Sequence, residues 1–278
     1  MAERADSPAS QGSTPPAIEI RGLRKAFGDK VVLNQLDLRV EAGESLVILG
    51  GSGSGKSTLL RCMIGLERPD AGSVLLHGVD LFSASRDEAR QLRQRLGVAF
   101  QGGALFGSMT VAENVDLPLR EFTDLPASTR RIIARIKLSL VGLEDAMDRL
   151  PSELSGGMQK RAAFARAMAL DPSILFCDEP SAGLDPVTAA ELDELLIRLR
   201  DVFGVTLVVV THELDSAFAI ADRLAIMRDG RFVHTGPVDE VRASQDPWVR
   251  RFLDRTPAPE HQEQERYVKL MRQWETEP

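Results

Sequence analysis

The stretch from residue 50 to 58, GGSGSGKST, constrains this chain more than any other part of its sequence. The pattern G-x-x-x-x-G-K-[ST] is satisfied by Gly50, Gly55, Lys56 and Ser57, with an apolar run before it and a helix-like segment after it. Glycines let backbone N–H groups converge on an anion, and the positive end of the following helix dipole points at the same position. The sequence therefore predicts a strand, a phosphate-binding loop and a helix, in preference to a flexible Gly/Ser linker that contains a lysine.

Length and composition are those of an ordinary globular protein, with 278 residues of which 43% are hydrophobic and 27% charged. The net charge of -7 argues against a surface that tracks nucleic-acid phosphates. The chain has only two cysteines, Cys62 and Cys177, which suggests no disulfide framework and favours a reducing compartment. No apolar run approaches the roughly 20 residues that span a bilayer, and no signal peptide is recognisable, so we expect a cytoplasmic protein.

The apolar patterns divide the chain into three parts. Residues 1–17 are rich in Ser, Pro and Ala without periodicity, and we expect them to form a disordered leader. Residues 18–242 contain short strands that alternate with helices, which predicts an α/β domain with a mainly parallel sheet. Apolar residues at helical spacing between about 102 and 166 predict a helical subdomain inserted in that domain. We expect residues 243–278 to form an accessory tail.

Two adjacent carboxylates, Asp178 and Glu179, follow the apolar run at 174–177. In parallel sheets ligands lie at the carboxyl ends of the strands, so this pair is placed for chemistry on a bound phosphate. Asp178 would hold Mg²⁺, and Glu179 would accept a proton from the attacking water. Carboxylates after a strand also serve as helix caps, and the upstream phosphate loop favours the catalytic interpretation.

A second candidate anion site lies at Ser155-Gly156-Gly157, directly before a predicted helix. Ser155 is a plausible helix N-cap, which would explain its presence without any ligand. The two glycines favour a further role, because they expose backbone N–H groups to close approach by an anion. One nucleotide can use both phosphate sites only if the two face each other.

Two single residues complete the pattern. His212 follows the β-branched run at 206–210, at a position where the sheet rule places chemistry, although a lone histidine is more often a structural hydrogen-bonding group. Phe27 occupies a predicted turn upstream of the phosphate loop, where an exposed ring could stack on a nucleotide base.

Six motifs in order give the chain a family resemblance. They are the phosphate loop, Gln101 after an apolar run, the sequence LSGGM at 154–158, the pair Asp178-Glu179, the loop at 181–185 and His212. Over roughly residues 18–241 the chain resembles the ATP-binding cassette (ABC) ATPases. The resemblance implies an α/β fold with a P-loop NTPase core of the RecA type, an antiparallel β subdomain and a helical insertion.

The same resemblance implies a homodimer in which two subunits pair head to tail around ATP and Mg²⁺. It assigns catalysis to Glu179, His212 and Gln101, and Mg²⁺ binding to Ser57, Gln101 and Asp178. Phe27 would stack on adenine, and Asp185 would communicate across the dimer. The implied nucleotide-binding residues are Phe27, Gly50, Gly51, Ser52, Gly53, Ser54, Gly55, Lys56, Ser57, Thr58, Ser155, Gly156, Gly157 and Asp185.

A narrower resemblance rests on QGGALF at 101–106, PSELSGGM at 151–158 and DPWVRRFL at 246–253. These motifs are similar to those of the ATPase subunits of Mla-type phospholipid transporters. The resemblance implies a peripheral protein on the cytoplasmic face of the inner membrane, held there by a permease. A periplasmic lipid-binding protein of the MCE family is the implied further partner, and a small regulatory protein is compatible with the resemblance.

Alternative functions are an ATPase subunit of an importer for another small solute, and a soluble ATPase of the same fold that acts on DNA or ribosomes. The second class usually carries coiled coils, zinc modules or two cassettes in tandem. The sequence contains none of these features. A single cassette with an acidic net charge therefore favours the transporter.

Two segments have open structural interpretations. The residues Tyr267, Leu270, Met271 and Trp274 share one helical face, which would reach a neighbouring subunit or fold back on its own domain. The irregular segment 102–109 contains Leu105, Phe106 and Met109, which would either receive a short permease helix or pack the helical subdomain onto the sheet.

Overall fold

A six-stranded sheet forms the centre of the computed structural model, which describes residues 15–256. The strands are β1 (Ile18–Phe27), β2 (Lys30–Val40), β3 (Ser45–Gly50), β4 (Ala71–Leu76), β5 (Val79–Asp80), β6 (Leu96–Ala99), β7 (Ile174–Asp178), β8 (Thr206–Thr211), β9 (Arg223–Arg228) and β10 (Arg231–Pro237). The helices are α1 (Lys56–Met63), α2 (Arg86–Gln94), α3 (Val111–Phe122), α4 (Ala127–Leu140), α5 (Gly156–Ala167), α6 (Pro186–Phe203), α7 (Leu214–Ile220), α8 (Val238–Arg242) and α9 (Pro247–Leu253).

The central sheet has the strand order β10-β9-β3-β8-β7-β6. All neighbouring strands run parallel except β10, which is antiparallel to β9. Every residue of β3 and β8 is buried, as continuous apolar runs predict for strands that are covered on both faces. Because the strands are parallel, the residues that follow β3, β7 and β8 emerge at the same edge of the sheet.

A second, antiparallel sheet has the order β2-β1-β4-β5. Its apolar face and one face of the central sheet enclose α1 in a shared core that includes Leu59, Cys62 and Met63. The helices α3, α4 and α5 lie between β6 and β7 in the chain and pack on one another. The fold is therefore the predicted one, an α/β core with an antiparallel sheet and a helical insertion.

The ends of the described region differ in part from the sequence-based boundaries. Ala17, the last residue of the expected leader, is fully buried, and its carbonyl accepts a hydrogen bond from the backbone N–H of His77. At the other end α9 packs on the core, because its Val249 is fully buried there and Trp248 and Phe252 lie against the same core. The rings of Trp248 and Phe252 also stack on each other, with centroids 5.4 Å apart. The apolar residues of α9 therefore extend the main core, in contrast to the expected accessory role of this part of the tail.

The helical face predicted at 267–274 lies outside the described residues. Within residues 15–256, no helix combines the length and the apolar character that crossing a membrane requires.

Candidate functional site

The phosphate loop joins the buried end of β3 to the first turn of α1, as its pattern predicts. Two of its glycines are required by close backbone approach. A Cβ atom at Gly50 would lie 2.4 Å from the carbonyl oxygen of Met227, and one at Gly55 would lie 2.9 Å from the carbonyl oxygen of Val32. Gly55 also has a φ of 108°, a left-handed conformation that favours glycine. The loop is therefore wedged between β2 and the end of β9.

Lys56 lies at the start of α1 and is 7% exposed. Its ammonium group donates hydrogen bonds to the carbonyl oxygens of Gly50, at 2.7 Å, and Gly51, at 3.1 Å. Burial lowers the pKa of Lys56, and the nearby carboxylates of Glu179 and Asp178 oppose that shift. The positive charge is thus held over the loop, where the phosphates of a nucleotide would lie.

A cavity of about 470 Å³ opens beside the loop. Its lining residues come from β2, the phosphate loop, α1 and the turn after β9, and they are Lys30, Val31, Val32, Gly53, Ser54, Gly55, Lys56, Ser57, Thr58, Asp229 and Gly230. Phe27 pairs with Lys30 across the turn between β1 and β2, and its side chain is exposed, with the Lys25 ammonium 5.2 Å from the ring centroid. The ring is therefore exposed and available to stack on a base, and its strand partner Lys30 lines the cavity.

Asp178 ends β7 and carries a buried oxygen, Oδ1, for which the described region offers no hydrogen-bond partner. Burial raises the pKa of Asp178, and the neighbouring Glu179 raises it further, whereas Arg61 and Lys56 lower it. A buried carboxylate oxygen without a donor is costly unless a cation or a proton satisfies it. Mg²⁺ prefers hard oxygen ligands, so the carboxylate of Asp178 and the hydroxyl of Ser57, which lines the cavity, have the chemistry to hold such an ion together with nucleotide phosphates.

Glu179 is 9% exposed and has a left-handed backbone, with a φ of 48°. Its carboxylate accepts a hydrogen bond from the Thr211 hydroxyl at 2.9 Å, and His212 Nδ1 lies 2.8 Å from the other oxygen. The Nε2 atom of His212 lies 3.3 Å from a carboxylate oxygen of Glu213. The structure thus brings the two predicted catalytic residues Glu179 and His212 into direct contact, at the edge of the sheet where β7 and β8 end.

Gln101 follows β6, the edge strand next to β7, and its side chain is exposed. The segment after it is held by two side chains. Arg166 of α5 donates to the carbonyl oxygens of Gly103 and Ala104, and the fully buried Asn114 exchanges hydrogen bonds with the backbone of Phe106. Gln101 is therefore attached to a loop whose position depends on the helical insertion.

The remaining predicted residues lie apart from the phosphate cavity. Ser155 caps α5 by accepting a hydrogen bond from the N–H of Met158, and Gly156 and Gly157 form the first turn of that helix. Asp185 caps α6, and hydrogen bonds from the side chain and backbone of Thr188 lower its pKa. Within one subunit these residues are helix caps, the alternative that the sequence left open for Ser155.

Sequence reasoning missed two residues that hold Glu179. Thr211 precedes His212, and the sheet rule that selected His212 would also have selected its neighbour. Lys160 lies on α5, and its ammonium donates to the carbonyl oxygen of Glu179 at 3.0 Å. Nothing in the sequence pattern marks this contact, because it joins two segments that are 19 residues apart.

Comparison with known proteins shows the family of this chain. A protein-family model described as ABC transporter matches residues 33–182. The chain belongs to the ABC transporter family. Like the other members, it is an ATP-binding and ATP-hydrolysing subunit, which confirms the predicted class of enzyme and its nucleotide.

Several relatives are similar over most of this chain. The probable ribonucleotide transport ATP-binding protein Mkl of Mycobacterium leprae is 43% identical over 238 residues, which are 86% of this chain and 69% of that protein. The Mkl of Mycobacterium tuberculosis strain H37Rv is 42% identical, and 66% of it is covered. The intermembrane phospholipid transport system ATP-binding protein MlaF of Escherichia coli K12 is 41% identical over 85% of this chain and 88% of its own length.

Solved structures show the same fold. A dimeric ATP-binding cassette in a post-hydrolysis state, bound to ADP and Pi, matches with a TM-score of 0.73 and 32% identity over 80% of this chain and 98% of that chain. The cbiO1 subunit of Clostridium perfringens, part of the cbiONQ transporter complex, matches with a TM-score of 0.76 and 29% identity over 86% of this chain and 95% of that chain.

Proposed function

We propose that the chain is the ATPase subunit of a phospholipid transporter. The observation that carries this proposal is the similarity to MlaF, which extends over 88% of that protein's length and therefore includes the helical insertion as well as the catalytic core. The name of Mkl points instead to ribonucleotides, a second candidate substrate that the same identity supports. The two substrates differ enough in chemistry for one experiment to separate them.

Hydrolysis at this site would begin with the phosphates of ATP on the loop. Lys56 would exchange its two carbonyl partners for β- and γ-phosphate oxygens, and the loop N–H groups would bind the remaining charge. Mg²⁺, when bound, neutralises phosphate charge. Ser57 and Asp178 would hold it, with Gln101 as the third ligand that the family resemblance assigns. The buried oxygen Oδ1 of Asp178, which has no hydrogen-bond partner in the described part of the chain, supports this assignment.

Glu179 would act as the general base. Its carboxylate would take the proton of a water molecule as that water attacks the γ-phosphorus and the bond to ADP breaks. The hydroxyl of Thr211 and the ring of His212 fix the orientation of the carboxylate before the reaction starts. His212 would also contact the γ-phosphate, since its ring reaches Glu179 from the end of β8.

The helix caps Ser155 and Asp185 would gain their functional roles in a homodimer. A head-to-tail pair of subunits places the first turn of α5 of one copy on the nucleotide of the other. The N-terminal turn of α5 supports this arrangement, because Ser155 and Gly156 are exposed and do not line the phosphate cavity of their own subunit.

A permease helix would dock on the segment after Gln101. Phe106 is 51% exposed, whereas Leu105 packs partly against the core. The backbone of Phe106 is held at both its N–H and its carbonyl by Asn114, so the ring is presented from a fixed position. We place the protein on the cytoplasmic face of the inner membrane through this contact, with an MCE-domain protein and a small regulatory protein as further partners.

The test is Phe106→Asp in the complex with its permease. The exposed ring adds little to the core, so the variant is expected to fold and bind ATP but to lose the permease on copurification and to lose phospholipid transport between vesicles. Val202→Asp on α6 is the matched control, since Val202 is 67% exposed. Normal assembly and transport by Phe106→Asp would refute the docking site, and transport of ribonucleotides instead of phospholipids by the unmodified complex would refute the substrate.

A further inference from the structure

The backbone of Glu179 adopts a left-handed conformation, which is unfavourable for a residue other than glycine. With a φ of 48°, it persists only because its surroundings fix it. The N–H of Glu179 donates to the carbonyl oxygen of Val210 at 2.8 Å, and its own carbonyl accepts from the N–H of Ala182 at 3.3 Å. The partners in both bonds, Val210 of β8 and Ala182 after β7, lie close to the edge of the sheet where β7 and β8 end.

A further bond reaches Glu179 from the helical insertion. The Lys160 ammonium donates to the Glu179 carbonyl oxygen at 3.0 Å. Burial lowers the pKa of Lys160, and the charge of Glu179 opposes that shift, so the two charged groups are close enough to interact. Partial burial of an ammonium group costs free energy, which its hydrogen bonds and a nearby opposite charge offset.

Lys160 lies on α5, whose N-cap Ser155 and first residues Gly156 and Gly157 we call the signature turn. It follows the N-cap Ser155 by five residues, which is about 7.5 Å along a helix axis. In the head-to-tail dimer of the proposed function, Ser155 would contact the nucleotide of the partner subunit, whereas Glu179 acts on the nucleotide of its own subunit. A single helix therefore touches both catalytic sites.

We propose that Lys160 is a positioning residue that fixes the general base Glu179 and couples it to the position of α5. A shift of α5 when the signature turn meets the partner's nucleotide moves the ammonium group, and with it the carbonyl and the backbone conformation of Glu179. Hydrolysis in one site thus depends on closure around the other. This inference rests on the proposed function in two respects, the role of Glu179 as base and the head-to-tail dimer.

The test compares Lys160→Met and Lys160→Arg in the full-length chain assembled with its permease. Methionine keeps the apolar stem of the side chain and removes the hydrogen-bond donor. Because one hydrogen bond from a charged group is lost, kcat is expected to fall about tenfold. KM for ATP is expected to stay within about twofold of the unmodified value. Arginine keeps a charged donor and is expected to restore most of the rate. Arg161→Met is the matched control, because Arg161 is the next residue of α5 and pairs with Glu191 of α6.

A double variant separates positioning from an independent role. Because Lys160 acts through Glu179, adding Lys160→Met to Glu179→Gln should leave the residual hydrolysis rate unchanged and should still allow the ATP-dependent dimer on size exclusion. An unchanged kcat in Lys160→Met, an equal loss in Arg161→Met, a further fall in the double variant or a lost dimer would each overturn the inference. Normal hydrolysis by Glu179→Gln alone would instead refute the general base itself.

Discussion

Gly157 leaves no room for a side chain, because a Cβ atom there would lie 2.7 Å from Cγ2 of Thr188 on α6. The methyl group of Thr188 cannot swing away freely, since its hydroxyl donates to Asp185 at 2.6 Å. At Gly156 an added Cβ atom would have Cδ2 of Leu184 as its nearest neighbour, at an ordinary van der Waals distance of 3.8 Å. Gly157→Ala would gain up to about 1 kcal/mol of helix propensity but lose about 1–3 kcal/mol to overpacking, whereas Gly156→Ala would keep the gain without the loss.

Urea unfolding of the full-length chain measures this difference. We expect Gly157→Ala to lower the free energy of unfolding by about 1 kcal/mol, with Gly156→Ala neutral or stabilising. Thr188→Ser removes the methyl group and keeps the hydroxyl bond, so the double variant with Gly157→Ala should recover about 1–2 kcal/mol of coupling energy. Equal stability of the two alanine variants, or a missing rescue by Thr188→Ser, would show that α5 and α6 adjust without strain and would refute the reasoning.

The remaining predictions concern charged groups in and near the nucleotide site. Lys56→Ala should abolish ATP binding, measured by titration with a fluorescent nucleotide, whereas Glu179→Gln should keep binding, trap a dimer on size exclusion and lower kcat by about 10²- to 10⁴-fold. Normal hydrolysis by either variant would contradict its role. Asp193 is 5% exposed, and burial raises its pKa from 3.8 to about 6. The folded state therefore holds the proton more tightly than the unfolded state, so this group costs stability increasingly as pH rises from about 4 to 6, by up to about 3 kcal/mol above that range. Asp193→Asn should stabilise the chain at pH 8 and much less at pH 4, and an equal effect in urea unfolding at both values would refute the assignment.

The parts of the site that could be predicted are those that local rules determine. The phosphate loop, the pair Asp178-Glu179 and His212 all follow a buried strand directly, and parallel strands bring their carboxyl ends to one edge. A short apolar run identifies such a strand from sequence alone. The class of fold follows from the same alternation of strands and helices, which the structure and its relatives confirm.

The parts that could not be predicted depend on contacts between distant segments. The contact of Lys160 with Glu179 requires a particular rotation of α5, and the pairing of Thr211 with the same carboxylate requires the register of β7 against β8. The core role of Val249 was missed because a seven-residue helix after a polar turn carries too few apolar positions to show which face is buried. The position of Thr211 at a strand end could have marked it as a candidate, but its partner, like the contact of Lys160 and the burial of Val249, is decided by three-dimensional packing.

Two charged side chains in the phosphate site favour the proposed pairing of ATP with Mg²⁺. Burial disfavours the charged form of both Lys56 and Asp178, lowering the pKa of one and raising that of the other. ATP alone would bring negatively charged phosphates close to Asp178, and the phosphates and the carboxylate would repel each other. A divalent cation beside Oδ1 of Asp178, which has no hydrogen-bond partner among residues 15–256, would oppose this repulsion, while the phosphates would neutralise Lys56. We therefore expect ATP and Mg²⁺ each to strengthen the binding of the other at this site.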